Sequence, residues 1–183
     1  MKRRTLLLGG AVGAVGLTLL ARPGDRGENH TAFFEELAEA LDSAQHSGPT
    51  LVIDRQRMRD NIATLTSHIG SRFDYRIVAK SLPSPDLLEE VMNVSGSNRL
   101  MLFHQPFINL VAERFPGADI LLGKPMPVTA AHNFYRRFGG GAFDPQRQLR
   151  WLVDTPERVR QYDVLASELG TDMLACVECD VGL

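Results

Sequence analysis

Short apolar runs and amphipathic stretches alternate along most of the chain, and this alternation predicts strands followed by helices. The apolar runs predict strands at residues 50–54, 75–80, 99–104, 118–122, 149–154 and 172–181. Apolar positions three or four residues apart predict helices at residues 55–69, 84–92, 106–115, 128–138 and 156–169, after a separate helix at residues 31–41. Strands and helices that alternate at this spacing form parallel βαβ units, so we expect an α/β fold.

Periodicity leaves two α/β architectures open, a doubly wound open sheet and a (β/α) barrel. A complete barrel usually needs about 250 residues. The chain has 183 residues, and its last predicted strand runs almost to the final residue. If the fold is a barrel, we therefore expect a partial one that is truncated at the C-terminus.

The N-terminal residues predict an export signal rather than part of the fold. Lys2, Arg3 and Arg4 precede an apolar segment rich in Gly and Ala, and the Arg3-Arg4 pair is similar to a twin-arginine signal. We expect residues 1–22 to direct the protein to the periplasm or another extracytoplasmic compartment, or to anchor it in the membrane if they are not cleaved. Residues 23–48 then form a linker and lead helix, and residues 49–183 the α/β region.

Composition and charge exclude several classes of protein. Hydrophobic residues make up 44% and charged residues 23% of the chain, which is ordinary for a globular protein. The formal net charge of -2 gives no electrostatic argument for a nucleic-acid partner. We predict no metal site, because the two cysteines, Cys176 and Cys179, would face opposite sides of a strand.

Lysine is scarce, and one lysine occupies a suggestive position. Lys2, Lys80 and Lys124 are the lysines among 20 basic residues. Lys80 ends a predicted strand, where a primary amine could form a Schiff base with an aldehyde cofactor, whereas an arginine could not. The other polar residues at predicted strand ends are Asp54, His104, Gln105, Lys124, Asp154, Thr155, Glu178 and Asp180. Asp54 and Asp154 are each followed by a helix, so capping is at least as good an explanation for them as catalysis.

Four segments resemble the N-terminal domain of the alanine racemase superfamily, the fold-type III pyridoxal-phosphate enzymes. The closer resemblance is to the D-threonine aldolase and D-serine dehydratase-like branch. Residues 50–62 are similar to its opening strand and helix, and residues 76–80 to its cofactor-lysine strand, with Arg76 four residues before Lys80. Residues 152–155 are similar to its mid-barrel strand end, and residues 177–183 to its Glu-x-Asp-x-Gly strand.

This resemblance implies a partial (β/α) barrel of the alanine racemase type that binds pyridoxal 5'-phosphate through a Schiff base on Lys80. The other cofactor-binding candidates are Arg76, His104 and Asp180. Arg76 would be a cationic neighbour that favours the neutral amine. The substrate would be a D-amino acid, and the full-length protein a homodimer.

The resemblance leaves the reaction open among aldol cleavage, dehydration and racemisation. The branch often continues past its lysine with a Thr-His-Lys run, whereas Ser81-Leu82-Pro83 follow here. Its later phosphate-binding loops and its C-terminal domain, which holds a divalent metal, would lie beyond Leu183. We therefore expect the chain alone to be weakly active or inactive. The alternatives are a non-catalytic pyridoxal-phosphate carrier and an inactive truncated product.

Overall fold

The computed structural model describes residues 31–46, 48–81 and 84–179. The chain divides into two units, Met1–Val52 and Ile53–Leu183. The described part of the first unit contains one helix, α1 (Ala32–Ser43), none of whose residues is buried. Helix α1 confirms the separate helix that the sequence predicts at residues 31–41. Thr31 precedes it, but the Thr31 side chain makes no capping hydrogen bond.

In the second unit, helices and strands alternate as predicted. The helices are α2 (Arg55–Ile69), α3 (Pro85–Ser95), α4 (Gln105–Arg114), α5 (Val128–Arg137), α6 (Pro145–Gln148) and α7 (Pro156–Leu169). The strands are β1 (Ile77–Val78), β2 (Arg99–Leu102), β3 (Asp119–Leu122), β4 (Leu149–Val153) and β5 (Leu174–Val177). The short helix α6 was not predicted, because four residues are too few to show a helical period.

The five strands form a single parallel sheet in the order β1-β2-β3-β4-β5. Each strand therefore pairs with the next strand along the chain. A doubly wound sheet reverses its strand order at a switch point, and the described strands show no reversal. The structure is an α/β fold with a five-stranded parallel sheet, and its strand order is compatible with a partial α/β barrel.

The two faces of the sheet differ sharply in burial. On one face, alternate strand residues are buried with apolar side chains of the helices: Ile77, Leu100, Leu102, Ile120, Leu122, Leu149, Trp151 and Val153. The opposite face, here called the open face, carries half-buried residues that alternate with these, namely Arg99, Met101, Asp119, Leu121, Arg150 and Leu152, together with the exposed Val78. A strand places successive side chains on opposite faces, so this pattern fixes which strand residues can meet on the open face.

Trp151 is the centre of an aromatic cluster beneath β4. Its side chain is fully buried, and its ring centroid lies 5.9 Å from that of Phe134 and 5.8 Å from that of Tyr162. The Tyr162 hydroxyl donates a 2.9 Å hydrogen bond to the carbonyl of Met126. These contacts join α5 and α7 to the buried face of the sheet, so the helices support the strand ends from one side only.

Ion pairs link successive helices. Glu90 of α3 pairs with Arg55 at 2.8 Å and with Arg59 at 2.7 Å, both on α2. Hydrogen bonding to Arg55 is the main cause that lowers the pKa of Glu90. Arg114 of α4 pairs in the same way with Asp86 of α3 at 2.5 Å. At least one side chain of each pair is exposed to solvent. We therefore expect these pairs to help align neighbouring helices and to add little to the free energy of unfolding.

The strand predicted at residues 50–54 is wrong. These residues form no strand, and the side chains of Leu51, Val52 and Ile53 are exposed, Leu51 to 73%. A run of β-branched and aliphatic residues gives a segment the preference for extended backbone, but a strand also needs a neighbour to complete its hydrogen bonds. Asp54 instead caps α2, because its carboxylate accepts a 2.9 Å hydrogen bond from the N–H of Arg57.

Candidate functional site

Lys80 lies at the carboxyl edge of the sheet, two residues beyond the end of β1. The pairing with β2 continues past β1, because the N–H of Ala79 donates a 3.0 Å hydrogen bond to the carbonyl of Met101. Ala79 is buried and Lys80 is exposed, so the alternation of faces continues as well. The Lys80 side chain therefore emerges from the open face, on the same side as Val78.

Phe103 is the aromatic neighbour of Lys80. Val78 of β1 pairs with Met101 of β2. Lys80 lies two residues after Val78, and Phe103 lies two residues after Met101. The Lys80 Nζ atom lies 5.3 Å from the centroid of the Phe103 ring, within the range of a cation–π contact. The ring thus lies beside the amine on the open face.

Gly123 provides the space for this ring. A Cβ atom on Gly123 would lie 2.1 Å from Cζ and 2.2 Å from Cε1 of Phe103. Carbon atoms cannot approach so closely, so any other residue at this position would displace the ring. Lys80, Phe103 and Gly123 form a row across three neighbouring strand ends, with the Phe103 ring between the amine and the glycine.

Arg76 lies at the other end of the open face, in a cluster around Asp119. Its Nη2 atom pairs with Asp119 Oδ1 at 2.6 Å, and its Nη1 atom donates to the carbonyls of Leu100 and Asp119 at 3.0 and 2.9 Å. Arg150 Nη1 pairs with Asp119 Oδ2 at 2.8 Å. Lys80 follows Arg76 by four residues, about 13 Å along an extended backbone. The structure therefore joins Arg76 to Asp119 rather than to the lysine.

The other strand-end residues have different surroundings. His104 is exposed at the N-cap position of α4, and its carbonyl accepts the N–H groups of Phe107 and Ile108 at 3.1 and 3.2 Å. Lys124 is exposed in the loop after β3. Thr155 caps α7 by accepting a 3.2 Å hydrogen bond from the N–H of Arg158.

Two buried polar residues follow His104. The Gln105 amide donates to the Asn109 side chain, which in turn donates to the carbonyl of Phe134 at 3.1 Å. These hydrogen bonds connect α4 to α5, and they give the buried Gln105 side chain a hydrogen-bond partner within the scaffold. Gln105 is therefore not free to act at the carboxyl edge.

Three carboxylates were candidates at the later strand ends. Asp154 and Glu178 are both exposed, and the N–H of Glu178 donates a 2.8 Å hydrogen bond to the carbonyl of Val153. Asp154 does not cap α7, because Thr155 holds that position. Asp180 and residues 1–22, for which the sequence predicts an export signal, lie outside the described residues.

Burial raises the pKa of both tyrosines in the aromatic cluster. The pKa of Tyr162 rises to about 12. The pKa of Tyr135 is also raised, and its hydroxyl accepts a 3.3 Å hydrogen bond from Trp151 Nε1. Both phenols lie on the helical side of the sheet, so they stabilise the scaffold and do not face Lys80.

Sequence reasoning found Lys80 but missed Phe103 and Gly123. The signal was present in the pattern, because each lies two residues beyond a residue of the open face, as Lys80 does. It could not be read without the register, which brings the three strand ends into one row. Cys176 and Cys179 are both free thiols, and no group of three His, Cys, Asp or Glu side chains within the described ranges could hold a metal ion.

No family model, no curated protein and no solved structure matches this chain. The class that the geometry defines is an α/β protein with a parallel sheet, helices on one face and an amine at the carboxyl edge of the other. Across residues 31–179, apart from the positions left undescribed, no helix is long and apolar enough to cross a membrane.

Proposed function

We propose that residues 49–183 are the first part of a (β/α) barrel of the alanine racemase type, and that the protein binds pyridoxal 5'-phosphate through Lys80. The activity would be that of the D-threonine aldolase and D-serine dehydratase-like branch, on a D-amino acid. The observation that carries the proposal is the exposed Lys80 amine at the carboxyl edge of a consecutively ordered parallel sheet, where enzymes of this architecture hold their working residues.

The residues around Lys80 fit the aldehyde and the ring of this cofactor. The amine is exposed, so an aldehyde can reach it, and arginine could not replace it as a nucleophile. Phe103 offers an aromatic surface beside it, and aromatic rings associate face-offset or edge to face. When bound, pyridoxal phosphate supplies a ring that accepts the electron pair released at the substrate Cα atom.

The remaining residues would take supporting parts. Lys80 Nζ would hold the cofactor, and the half-buried apolar surface of the open face would exclude water from one side of it. His104 and Asp180 are the further candidates for contact with the cofactor. Arg76 would act at a distance, by fixing the opposite end of β1 to β3 through Asp119. Export and a homodimeric state belong to the same proposal.

Covalent labelling of Lys80 tests the proposal directly. The purified chain is mixed with pyridoxal phosphate, treated with borohydride, digested and examined by mass spectrometry. We expect a visible absorption band that borohydride abolishes, and a pyridoxyl group on Lys80. The control variant Lys124→Ala should be labelled on Lys80 to the same extent as the natural sequence. Lys124 is a matched control, because it is also an exposed lysine that follows a strand. The same absorption band in Lys80→Ala would refute the assignment.

Turnover separates an enzyme from a carrier. D-threonine and D-serine are supplied to the loaded protein, and the products are identified by chromatography. Consumption of the D-amino acid by the natural sequence but not by Lys80→Ala supports an enzyme. The product then shows whether the reaction is cleavage, dehydration or racemisation. Labelling of Lys80 without any turnover supports the non-catalytic carrier or the inactive truncated product instead.

A further inference from the structure

The Phe103 ring and Gly123 lie next to the Lys80 amine at the carboxyl edge of the open face. The ring centroid is 5.3 Å from Lys80 Nζ, and the ring edge occupies the volume that any side chain at position 123 would need. We propose that Phe103 is a positioning residue that selects planar aromatic aldehydes for Lys80, with Gly123 providing the space for its ring. This inference rests on the proposed role of Lys80 and specifies the class of aldehyde it takes.

Distance and direction support a stacking role. A carbon atom bonded to Nζ stays adjacent to it, so a planar ring attached to that carbon can reach Phe103. Aromatic rings attract one another at centroid separations of about 4.5–7 Å, and the 5.3 Å from Nζ to the Phe103 ring allows such a ring to come within this range. An aliphatic aldehyde has no π face, so it gains less from the same contact.

Phe103 and Gly123 lie outside the buried core, so we expect substitutions at these positions to preserve the fold. Phe103 is half-buried on the open face and is not part of the buried core. Gly123 is not among the glycines with a positive φ, so its backbone accepts alanine. The ring atoms nearest to the new methyl group, Cζ and Cε1, form the outer end of a side chain that can turn away, and Met101 Cγ, at 2.9 Å, also belongs to a flexible side chain. Gly123→Ala therefore moves the ring without removing it.

The experiment compares three aldehydes on the full 183-residue chain. Pyridoxal phosphate, benzaldehyde and butanal are each allowed to react with the protein. The amine nitrogen bonds to the aldehyde carbon, and the two amine protons leave with the aldehyde oxygen as water. Borohydride then delivers hydride to the carbon–nitrogen double bond, and a proton from water completes the secondary amine. The readout is the ratio of label on Lys80 to label on Lys124.

In the natural sequence, both aromatic aldehydes are expected to favour Lys80 over Lys124, whereas butanal labels the two lysines more evenly. Phe103→Leu should lower the aromatic ratio roughly 2- to 10-fold, as the loss of one aromatic pair predicts, and leave the butanal ratio unchanged. Phe103→Tyr should restore the aromatic ratio, and Gly123→Ala should lower it. An equal fall for butanal would mean that Phe103 acts only on structure, and would overturn the inference.

The outcomes distinguish this inference from the proposed function. If pyridoxal phosphate labels Lys80 equally in the natural sequence and in Phe103→Leu, the cofactor role stands and the inference fails. If benzaldehyde shows the dependence on Phe103 but pyridoxal phosphate does not label Lys80, the proposed function fails and the aromatic selectivity stands. Circular dichroism and the fluorescence of Trp151 establish folding. Should Phe103→Leu unfold, the Phe103→Tyr and Gly123→Ala ratios decide the matter, since an unchanged ratio in Gly123→Ala overturns the inference.

Discussion

Replacing Asp119 by asparagine removes a carboxylate that two arginines share. Asp119 forms an ion pair with Arg76 at 2.6 Å through one oxygen and accepts a 2.8 Å hydrogen bond from Arg150 through the other. The side chains of Asp119 and Arg76 are 27% and 21% exposed, so water screens their charges only in part. Asparagine keeps the shape but loses the charge, which leaves two guanidinium groups facing a neutral amide.

The size of the effect follows from these contacts. A hydrogen bond to a charged group contributes about 1.5–3 kcal/mol, and Asp119 accepts one such bond from Arg150 and forms an ion pair with Arg76. The amide oxygen of asparagine can still accept one bond, and partial exposure weakens both. We therefore expect Asp119→Asn to lower the free energy of unfolding by about 2–3 kcal/mol, which corresponds to a fall in Tm of about 4–12 °C for a domain of this size.

The chain carries its own probe and its own control. Trp151 is the single tryptophan and is fully buried, so its fluorescence reports unfolding in urea or on heating. Asp74 pairs with Arg99 at 2.6 Å but is 70% exposed, and Asp74→Asn should therefore change stability by less than about 1 kcal/mol. Equal effects of Asp119→Asn and Asp74→Asn would refute the assignment of Asp119 to the support of the open face.

Two further predictions concern the scaffold. The Tyr162 pKa of about 12 exceeds the value of roughly 10 in an unfolded chain, so the folded state holds the phenol proton more tightly. This contribution is full below about pH 10 and is lost as the pH rises towards 12, and urea titrations of Tyr162→Phe should show a weaker alkaline loss of stability. An identical alkaline slope in the variant would contradict this. Thr155→Ala should cost about 1 kcal/mol in a urea titration, as the loss of an N-cap does, because Thr155 accepts the N–H of Arg158. Asp154→Ala should cost almost nothing, and a larger loss from Asp154→Ala than from Thr155→Ala would reverse the assignment.

Local periodicity was enough to place most elements. The predicted helices at residues 55–69 and 156–169 agree with α2 and α7, because apolar spacing and capping residues act within one segment. The strand at residues 50–54 fails for the complementary reason. Its residues favour extended backbone, but hydrogen-bond partners come from other parts of the chain.

The candidate site was predictable only in its first member. Lys80 could be found from the sequence, because a lysine at the end of an apolar run is visible without tertiary information. Phe103 and Gly123 could not be recognised from the sequence in this way, since their contact depends on the pairing of β2 with β3. The ion pairs of Asp119 could not be recognised from the sequence either. Arg76 and Arg150 come close to Asp119 only when β1, β3 and β4 are placed in the sheet.

The sequence by itself determined an α/β fold, the positions of its longer helices and a lysine at the end of a strand. Only the tertiary structure decided the consecutive strand order, the open face of the sheet and the row formed by Lys80, Phe103 and Gly123. The physical reason is the range of the interactions. Helical periodicity and capping act between residues a few positions apart, whereas strand register joins residues that are twenty or more positions apart, and a side chain acquires its neighbours across the sheet only when that register is set.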